Sequence, residues 1–301
     1  MFNDQPEFDK YENFLVSFFG RANYILMNRY YLTATVRRDG SARLQEHWGT
    51  FPSSAYAYKN KEEKTFRDLN WLSDLKLRLG YGVTGQQEGI DNYLWIAQYR
   101  VGGPYGYYPM AGDGKLYTPK YFNKDLKWET TTTYNVGLDF GAFDQRVTAS
   151  VDWYYRKTKD LINNAPVAAL SGFADMGLQN IGSLKNTGVE VALGWKVVQT
   201  KDWFWSLDYN FTYNKNEITD LTGVSEGGLP VLTGANIDQS NKVLAHQVGY
   251  AANSFYVYQQ VYDQNGRPIE GCVVDRNGDG EITEGDRYLY KNIAAPVTMG
   301  L

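Results

Sequence analysis

The chain has 301 residues, enough for one large or two modest domains, and a formal net charge of -4, too mild for a nucleic-acid binder. Aromatics make up 16% of it, with 25 Tyr, 14 Phe and 8 Trp, and Gly is high at 30. That composition suits pleated, all-β structure. A mean hydropathy of -0.49 and the lack of any apolar run near ~20 residues exclude membrane-spanning helices. They leave a transmembrane barrel open, because its strands are polar on one face. A single cysteine, Cys272, excludes an internal disulfide framework and reads as a small buried hydrophobe.

MFNDQPEFDKYENF has no basic region followed by an apolar core, so no signal peptide is expected in this stretch. Strand candidates begin at Asn13–Leu26. A turn at 27–29 leads to Tyr30–Arg38, and Asp39-Gly40-Ser41 opens a polar loop expected to reach about Gly49. Phe51–Tyr58 is a weaker strand. The charged link 59–73 has room for a helical turn or two. Asp74–Thr84 alternates strictly, with Leu75, Leu77, Leu79, Tyr81 and Val83 against Lys76, Arg78, Gly80 and Gly82.

A long loop, about 85–125, precedes the clearest hairpin, Trp128–Leu161. There Tyr134, Val136, Leu138 and Phe140 point one way, and Asn135, Gly137 and Asp139 the other. Past a reversal at Phe143–Arg146, the set Val147, Ala149, Val151, Trp153 and Tyr155 opposes Thr148, Ser150, Asp152 and Arg156. A second loop, 160–186, leads to the strands Thr187–Val198 and Trp203–Lys215, joined at Thr200-Lys201-Asp202. A polar excursion covers 217–292, and Val297–Leu301 begins a ninth strand.

Connections alternate short and long, and the strands exceed the usual ~5–6 residues of soluble sheets, matching the ~9–11 that cross a bilayer on a tilt. The pattern predicts an all-β, antiparallel transmembrane β-barrel portion: incomplete, about eight strands plus a truncated ninth, with long extracellular loops. Residues 1–216 are the strands and their loops, 217–292 an elaborated extracellular region, and 293–301 the start of a further strand. The apolar faces then look at lipid, and Lys76, Arg78, Asp139, Asp152, Arg156, Glu190, Lys196 and Asp208 face a watery lumen.

The sharpest chemical motif is DRNGDGEITEGD, residues 275–286. Asp275, Asn277 and Asp279 stand at positions 1, 3 and 5 of a calcium-loop pattern, Gly280 at 6, the Glu281 carbonyl at 7 and Asp286 at 12. Asp286 replaces the usual longer Glu, and the flanks do not read as paired helices. The alternative is an Asp/Asn/Gly-rich turn without an ion. The aromatics Tyr93, Trp95, Tyr99, Tyr105, Tyr107 and Tyr108 form a second candidate, able either to stack on sugar rings or to pack the loop on itself. Trp153, Tyr155, Trp203 and Trp205 read as interfacial girdle residues. His47 and His246 stand near no Ser or Cys motif, and no nucleophile–base arrangement is present, so no enzyme is expected.

Several stretches carry a family likeness: FFGRANYILMNRYYLTATVRRDGSARL, WGTFPSSAYAY, LKLRLGYGVTGQQ, KWETTTTYNVGLDFG, SVDWYYRKTKDLI, NIGSLKNTGVEVAL and DYNFTYNKNEIT. In order along nearly the whole chain, they resemble the C-terminal barrel half of the SusC/RagA family of TonB-linked outer-membrane transporters. The resemblance implies a 22-stranded, plugged barrel in the outer membrane, with outer-membrane lipid around it. It implies uptake of glycan or peptide with a SusD-type surface lipoprotein, and coupling to TonB through an N-terminal part. Ser54 departs from the larger apolar residue usual at its position. The chain is expected to be a fragment that carries neither TonB box nor plug and imports nothing alone. The rival expectation is a soluble secreted calcium-dependent β-domain that binds carbohydrate.

Overall fold

The computed structural model describes residues 11–101, 117–167, 176–221, 230–237 and 241–301. The strands β1 (Leu15–Leu26), β2 (Tyr30–Ser41) and β3 (Trp48–Lys59) come first. A 3-10 turn (Asn60–Glu62) and one α-helical turn, α1 (Lys64–Arg67), follow in the charged link. Next are β4 (Leu72–Gln86), the short β5 (Tyr99–Val101) and β6 (Tyr117–Pro119), then β7 (Glu129–Ala142) and β8 (Val147–Lys159). β9 (Ile162–Pro166) and β10 (Met176–Asn180) precede the long β11 (Ser183–Gln199) and β12 (Phe204–Asp220). The excursion holds β13 (Val231–Thr233), β14 (Leu244–His246), β15 (Ser254–Val257), β16 (Gln260–Tyr262), β17 (Pro268–Val273) and β18 (Tyr288–Asn292). A last strand, β19, covers Val297–Gly300.

The main sheet has nine strands in the order β1-β2-β3-β4-β7-β8-β11-β12-β19. Its neighbours are antiparallel in β1/β2, β2/β3, β11/β12 and β12/β19. The chain divides into two compact units: residues 1–58, 79–134 and 158–181 in the first, and 59–78, 135–157 and 182–301 in the second.

In the first unit, β1 turns into β2 through Met27 and Asn28, both at φ 53°. Two left-handed residues open this three-residue loop, 27–29, and let the chain reverse tightly between the strands. Across β2/β3, Tyr30 pairs with Tyr58 and their rings stack at 4.8 Å. The core of this unit is a cluster of Leu44, Phe51, Ile90, Leu126 and Trp128, with Val83, Leu94, Ile162 and Leu178 packed on it. Full burial of such a side chain stabilises by ~1.5–3 kcal/mol. Phe51 meets Trp128 edge-on at 5.5 Å, and its ring lies so close over Gly85 that a Cβ there would come within 2.0 Å of it.

This cluster explains two departures from the sequence pattern. Leu79 and Tyr81 are exposed as the alternation predicts, but Val83 packs against the cluster instead of joining their face. The expected loop 39–49 is strand at both its ends: β2 continues to Ser41 and β3 starts at Trp48. Gly40 pairs with Trp48, and buried Asp39 is held by Arg37 two residues before it on the same face. A local turn signal loses to tertiary pairing. The long loops also contain structure of their own, the β5/β6 and β9/β10 pairs.

In the second unit, the β7–β8 reversal runs through Phe143, Asp144 and Gln145, all at positive φ. Phe143 N–H donates to the Trp71 carbonyl at 2.8 Å, and Trp71 packs on Phe140 at 6.1 Å. β11 and β12 are each 17 residues long and run in register, Val191 opposite Phe211 and Gly194 opposite Asp208, with a bulge at Val197. β19 pairs with Asn210–Tyr213. In the excursion, β13-β14-β15-β18 form one small sheet and β16/β17 another. Cys272, on β17, is exposed rather than buried.

Polarity in the middle of β7 and β8 is the reverse of a soluble sheet, whereas Arg156, Glu190 and Asp208, expected on the covered face, are exposed. Val136, Leu138, Val151 and Trp153 are 41%, 43%, 41% and 42% exposed. Between them, the side chains of Asp139 and Asp152 are only 28% and 18% exposed.

Candidate functional site

Strict alternation places charged residues of β4, β7 and β8 on one face, and in the second unit they converge. Arg78 donates through Nε and Nη2 to Asp139 at 2.9 and 2.7 Å, and through Nη1 and Nη2 to Asp152 at 2.9 and 2.7 Å. Lys76 Nζ lies 3.4 Å from Asp139, and Ser150 Oγ donates to Asp152 at 3.0 Å. One guanidinium forked over two carboxylates is a rigid, neutralised wall. Every donor aimed at the two carboxylates is matched, so the cluster presents no reactive group.

Of the aromatic candidates, Tyr93, Trp95 and Tyr99 fall in the described residues, and Tyr105, Tyr107 and Tyr108 lie outside them. Tyr93 has φ 63°, and its hydroxyl accepts from Glu12 N–H at 3.2 Å. Trp95 Nε1 donates to the Ala42 carbonyl at 3.0 Å, and its ring meets His47 edge-on at 5.8 Å. Both are tied into the loop. Tyr99, on β5, is exposed.

The 275–286 segment folds into a loop whose side chains serve its own backbone. Asp275 accepts from Gly278 N–H at 2.7 Å and Gly280 N–H at 2.8 Å. Asn277 Oδ1 accepts from Asp279 N–H at 3.0 Å, and Asp279 Oδ1 from Glu281 N–H at 2.9 Å. The Glu281 side chain is exposed. Asp286 is fully buried and accepts from the N–H groups of Arg276 at 2.8 Å, Asn277 at 3.3 Å and Thr283 at 2.8 Å. The Thr283 N–H, then those of Arg276 and Asn277, hold this carboxyl below the usual carboxylate range although burial acts the other way. Thr283 and Asp286 together form a capping box on the 3-10 turn Glu284–Asp286. Among the described residues, no group of three or more His, Cys, Asp or Glu side chains converges as for a metal ion.

Sequence reasoning missed a cavity of about 430 Å³ in the first unit, lined chiefly by Arg37, Asp39, Gln86, Glu88, Trp128 and Thr131. Its one sequence signal is the Arg37–Asp39 pair, two residues apart on one strand face.

The profile of the family described as TonB dependent receptor-like, beta-barrel, matches residues 2–280. TonB-dependent receptor SusC of Bacteroides thetaiotaomicron is 53% identical over 295 residues, covering 96% of this chain and 29% of SusC. TonB-dependent receptor P3 of Formosa agariphila is 32% identical, covering 98% of this chain and 31% of its own length. Among solved structures, the RagAB peptide transporter aligns with TM-score 0.76 and 30% identity over 95% of this chain and 31% of that chain. The chain therefore spans about three tenths of the length of the relatives it matches. Its long antiparallel strands fit these relatives, and the chain belongs to the TonB-dependent receptor-like β-barrel family, on the side of SusC and RagA.

Proposed function

We propose that this chain is a wall segment of an outer-membrane barrel that imports glycan or peptide, driven through TonB and loaded by a SusD-type surface lipoprotein. The observation that carries the reading is the reversed polarity of the strands, with Val136, Leu138, Val151 and Trp153 exposed and Asp139 and Asp152 covered. An apolar face is at home in hydrocarbon, whereas Lys or Arg turned toward a bilayer midplane costs about 2–4 kcal/mol. Likeness to SusC and to a RagAB peptide transporter supports import and a two-component assembly. The soluble carbohydrate-binding alternative draws no support from either, and it leaves the exposed apolar face in water.

The test is deletion of the gene encoding the protein that carries this chain, with growth scored on single glycans and on oligopeptides as sole nutrient. Loss of growth on one such nutrient, restored by the intact gene, and co-purification of a surface lipoprotein are expected. Unchanged growth and uptake on every nutrient would sink the import reading.

We also propose calcium for the 275–286 loop, supported by oxygen side chains at positions 1, 3, 5 and 12 of a loop closed by glycines. Terbium luminescence at up to millimolar competing calcium is expected to report one site that Asp275→Ala removes. A signal identical in that variant ends the proposal.

A further inference from the structure

Two adjacent arginines leave β2 on opposite faces of the sheet. Arg37 stands opposite Phe19 and Phe51, on the face that holds buried Asp39, and is neutralised by that carboxylate. Arg38 stands opposite Phe18 and Thr50, on the other face, and is exposed. Phe18, Tyr24, Leu32 and Val36 share this second face and are exposed as well. Along the whole of β1, β2 and β3, Arg38 is the only charged residue that the register places there. We propose that Arg38, with Trp48 beside it, binds the phosphate of a phosphorylated glycolipid in the outer leaflet of the surrounding membrane. The proposal uses the barrel fold and is independent of what the barrel imports.

Three observations carry it. The first is level. Tyr30 and Tyr58 stack at the end of β2 next to the short 27–29 turn, and short turns mark the periplasmic rim. Arg38 follows Tyr30 on the same face by eight positions, about 26 Å along a strand and about 20 Å across a bilayer at the usual tilt. An apolar band in such a barrel is ~25 Å tall with aromatics at both borders, so Arg38 and Trp48 stand at the outer headgroup level. The second is a prepared platform. Trp48 is rooted on β3 opposite Gly40, where a Cβ would come within 3.0 Å of its ring. The ring stacks on Phe18 of β1 at 6.0 Å, and the Arg38 guanidinium lies 5.5 Å from its centroid. The third is an unmatched charge. Among the described residues the Arg38 side chain has neither an ion pair nor a hydrogen bond, whereas Arg37 and Arg78 are matched by carboxylates. A guanidinium held over a ring keeps its N–H donors for an acceptor, and their fork fits two phosphate oxygens.

The neighbours choose the source of the phosphate. Val16, Phe18 and Val36 flank Arg38 and are exposed. They offer acyl chains a surface that inorganic phosphate does not use. The level chooses the leaflet, because the far end of β2 from the periplasmic turn meets the outer one, where the glycolipid resides.

The experiment is native mass spectrometry of the protein that carries this chain, delipidated in detergent and titrated. The probes are an acylated diglucosamine phosphate, the same glycolipid without its phosphate, phosphatidylglycerol and inorganic phosphate. The phosphorylated glycolipid is expected to bind, and Arg38→Gln to weaken it about tenfold, as the loss of a charge-assisted bond implies. Arg38→Lys, which keeps the charge without the fork, should fall between the two. Arg21→Gln, an exposed arginine on the opposite face bonded to Thr35, should bind like the parent. The proposal is overturned if Arg38→Gln binds the phosphorylated glycolipid like the parent, or if removing the phosphate changes nothing. It is equally overturned if phosphatidylglycerol or inorganic phosphate binds as tightly with the same dependence on Arg38. A change from multimer to monomer in Arg38→Gln without loss of lipid would assign Arg38 to a contact between copies and also overturn it. The phosphate-free probe acts on the unaltered protein, so the question is decided even where a variant does not fold.

Discussion

The β11–β12 hairpin and the 275–286 loop belong to the same unit and are held by opposite means. In the hairpin, backbone bonds to backbone from Ser183–Asp220 to Gln199–Phe204, and side chains are left to serve the two faces. In the loop, Asp275, Asn277, Asp279 and Asp286 bond to backbone N–H groups, and few side chains are left over. A strand of this kind is specified by a period, so it tolerates most single changes at its faces. A loop of this kind is specified by positions, so one residue can carry a whole turn.

Substitutions can break that contrast, and the largest effect is expected where a strand face itself depends on one residue. Arg78→Met leaves Asp139 and Asp152 facing each other without their shared cation, with Lys76 at 3.4 Å as the remaining counter-charge. Breaking a fully buried pair costs ~3–5 kcal/mol. With these side chains 18–30% exposed, solvent reduces this to about 2–3 kcal/mol. Thermal unfolding in detergent should show the loss, and Asp139→Asn with Asp152→Asn in the same background should recover most of it. No loss in the single variant would mean that the wall is held by its backbone alone.

A smaller effect is expected at Gly188, where the hairpin's tolerance ends for a steric reason. A Cβ there would stand 2.5 Å from the Tyr154 hydroxyl and 2.5 Å from the Tyr213 carbonyl oxygen. Tyr154 is 7% exposed and donates to Asn214 Oδ1 at 3.0 Å. Gly188→Ala must displace that ring or the strand, at about 1–3 kcal/mol for overpacking. Combining it with Tyr154→Leu should relieve only the part due to the ring, because the Tyr213 carbonyl oxygen belongs to the neighbouring strand and stays in place.

The same contrast explains what could be read in advance. The faces of β7, β8, β11 and β12 follow period 2, so Val136, Leu138, Val151 and Trp153 were legible as the exposed apolar set and Asp139 and Asp152 as the covered one. Where tertiary packing competes, periodicity fails. Val83 turns to the Phe51–Trp128 cluster, and Asp39-Gly40-Ser41, a turn by its residues, is held in β2 by Arg37 and Trp48. The cavity beside Arg37 was invisible because its lining comes from four separate stretches of chain. Asp286 shows a different limit. A carboxylate at the twelfth position suits a cation or a set of N–H groups equally, since both present positive charge to it, and spacing alone does not separate them.

The smallest expected effect is local to that residue and depends on pH. The folded Asp286 carboxyl lies below its unfolded range, ~3.9, because Thr283, Arg276 and Asn277 donate to the ionised form. A depressed folded value means that stabilisation is present above the unfolded value and is lost as pH falls through the folded one. Amide exchange at Arg276, Asn277 and Thr283 should therefore be flat above about pH 4, after correction for intrinsic rates, and protection should fall below it. Asp286→Asn keeps one carbonyl acceptor but not the charge. Charge-assisted bonds are stronger than neutral ones, so exchange at these three amides should rise, by roughly tenfold, and lose its acid step. The hairpin amides of β11 and β12, whose partners are backbone carbonyls, should not respond to either change. An acid step that persists in Asp286→Asn would remove Asp286 as the residue on which the loop closes.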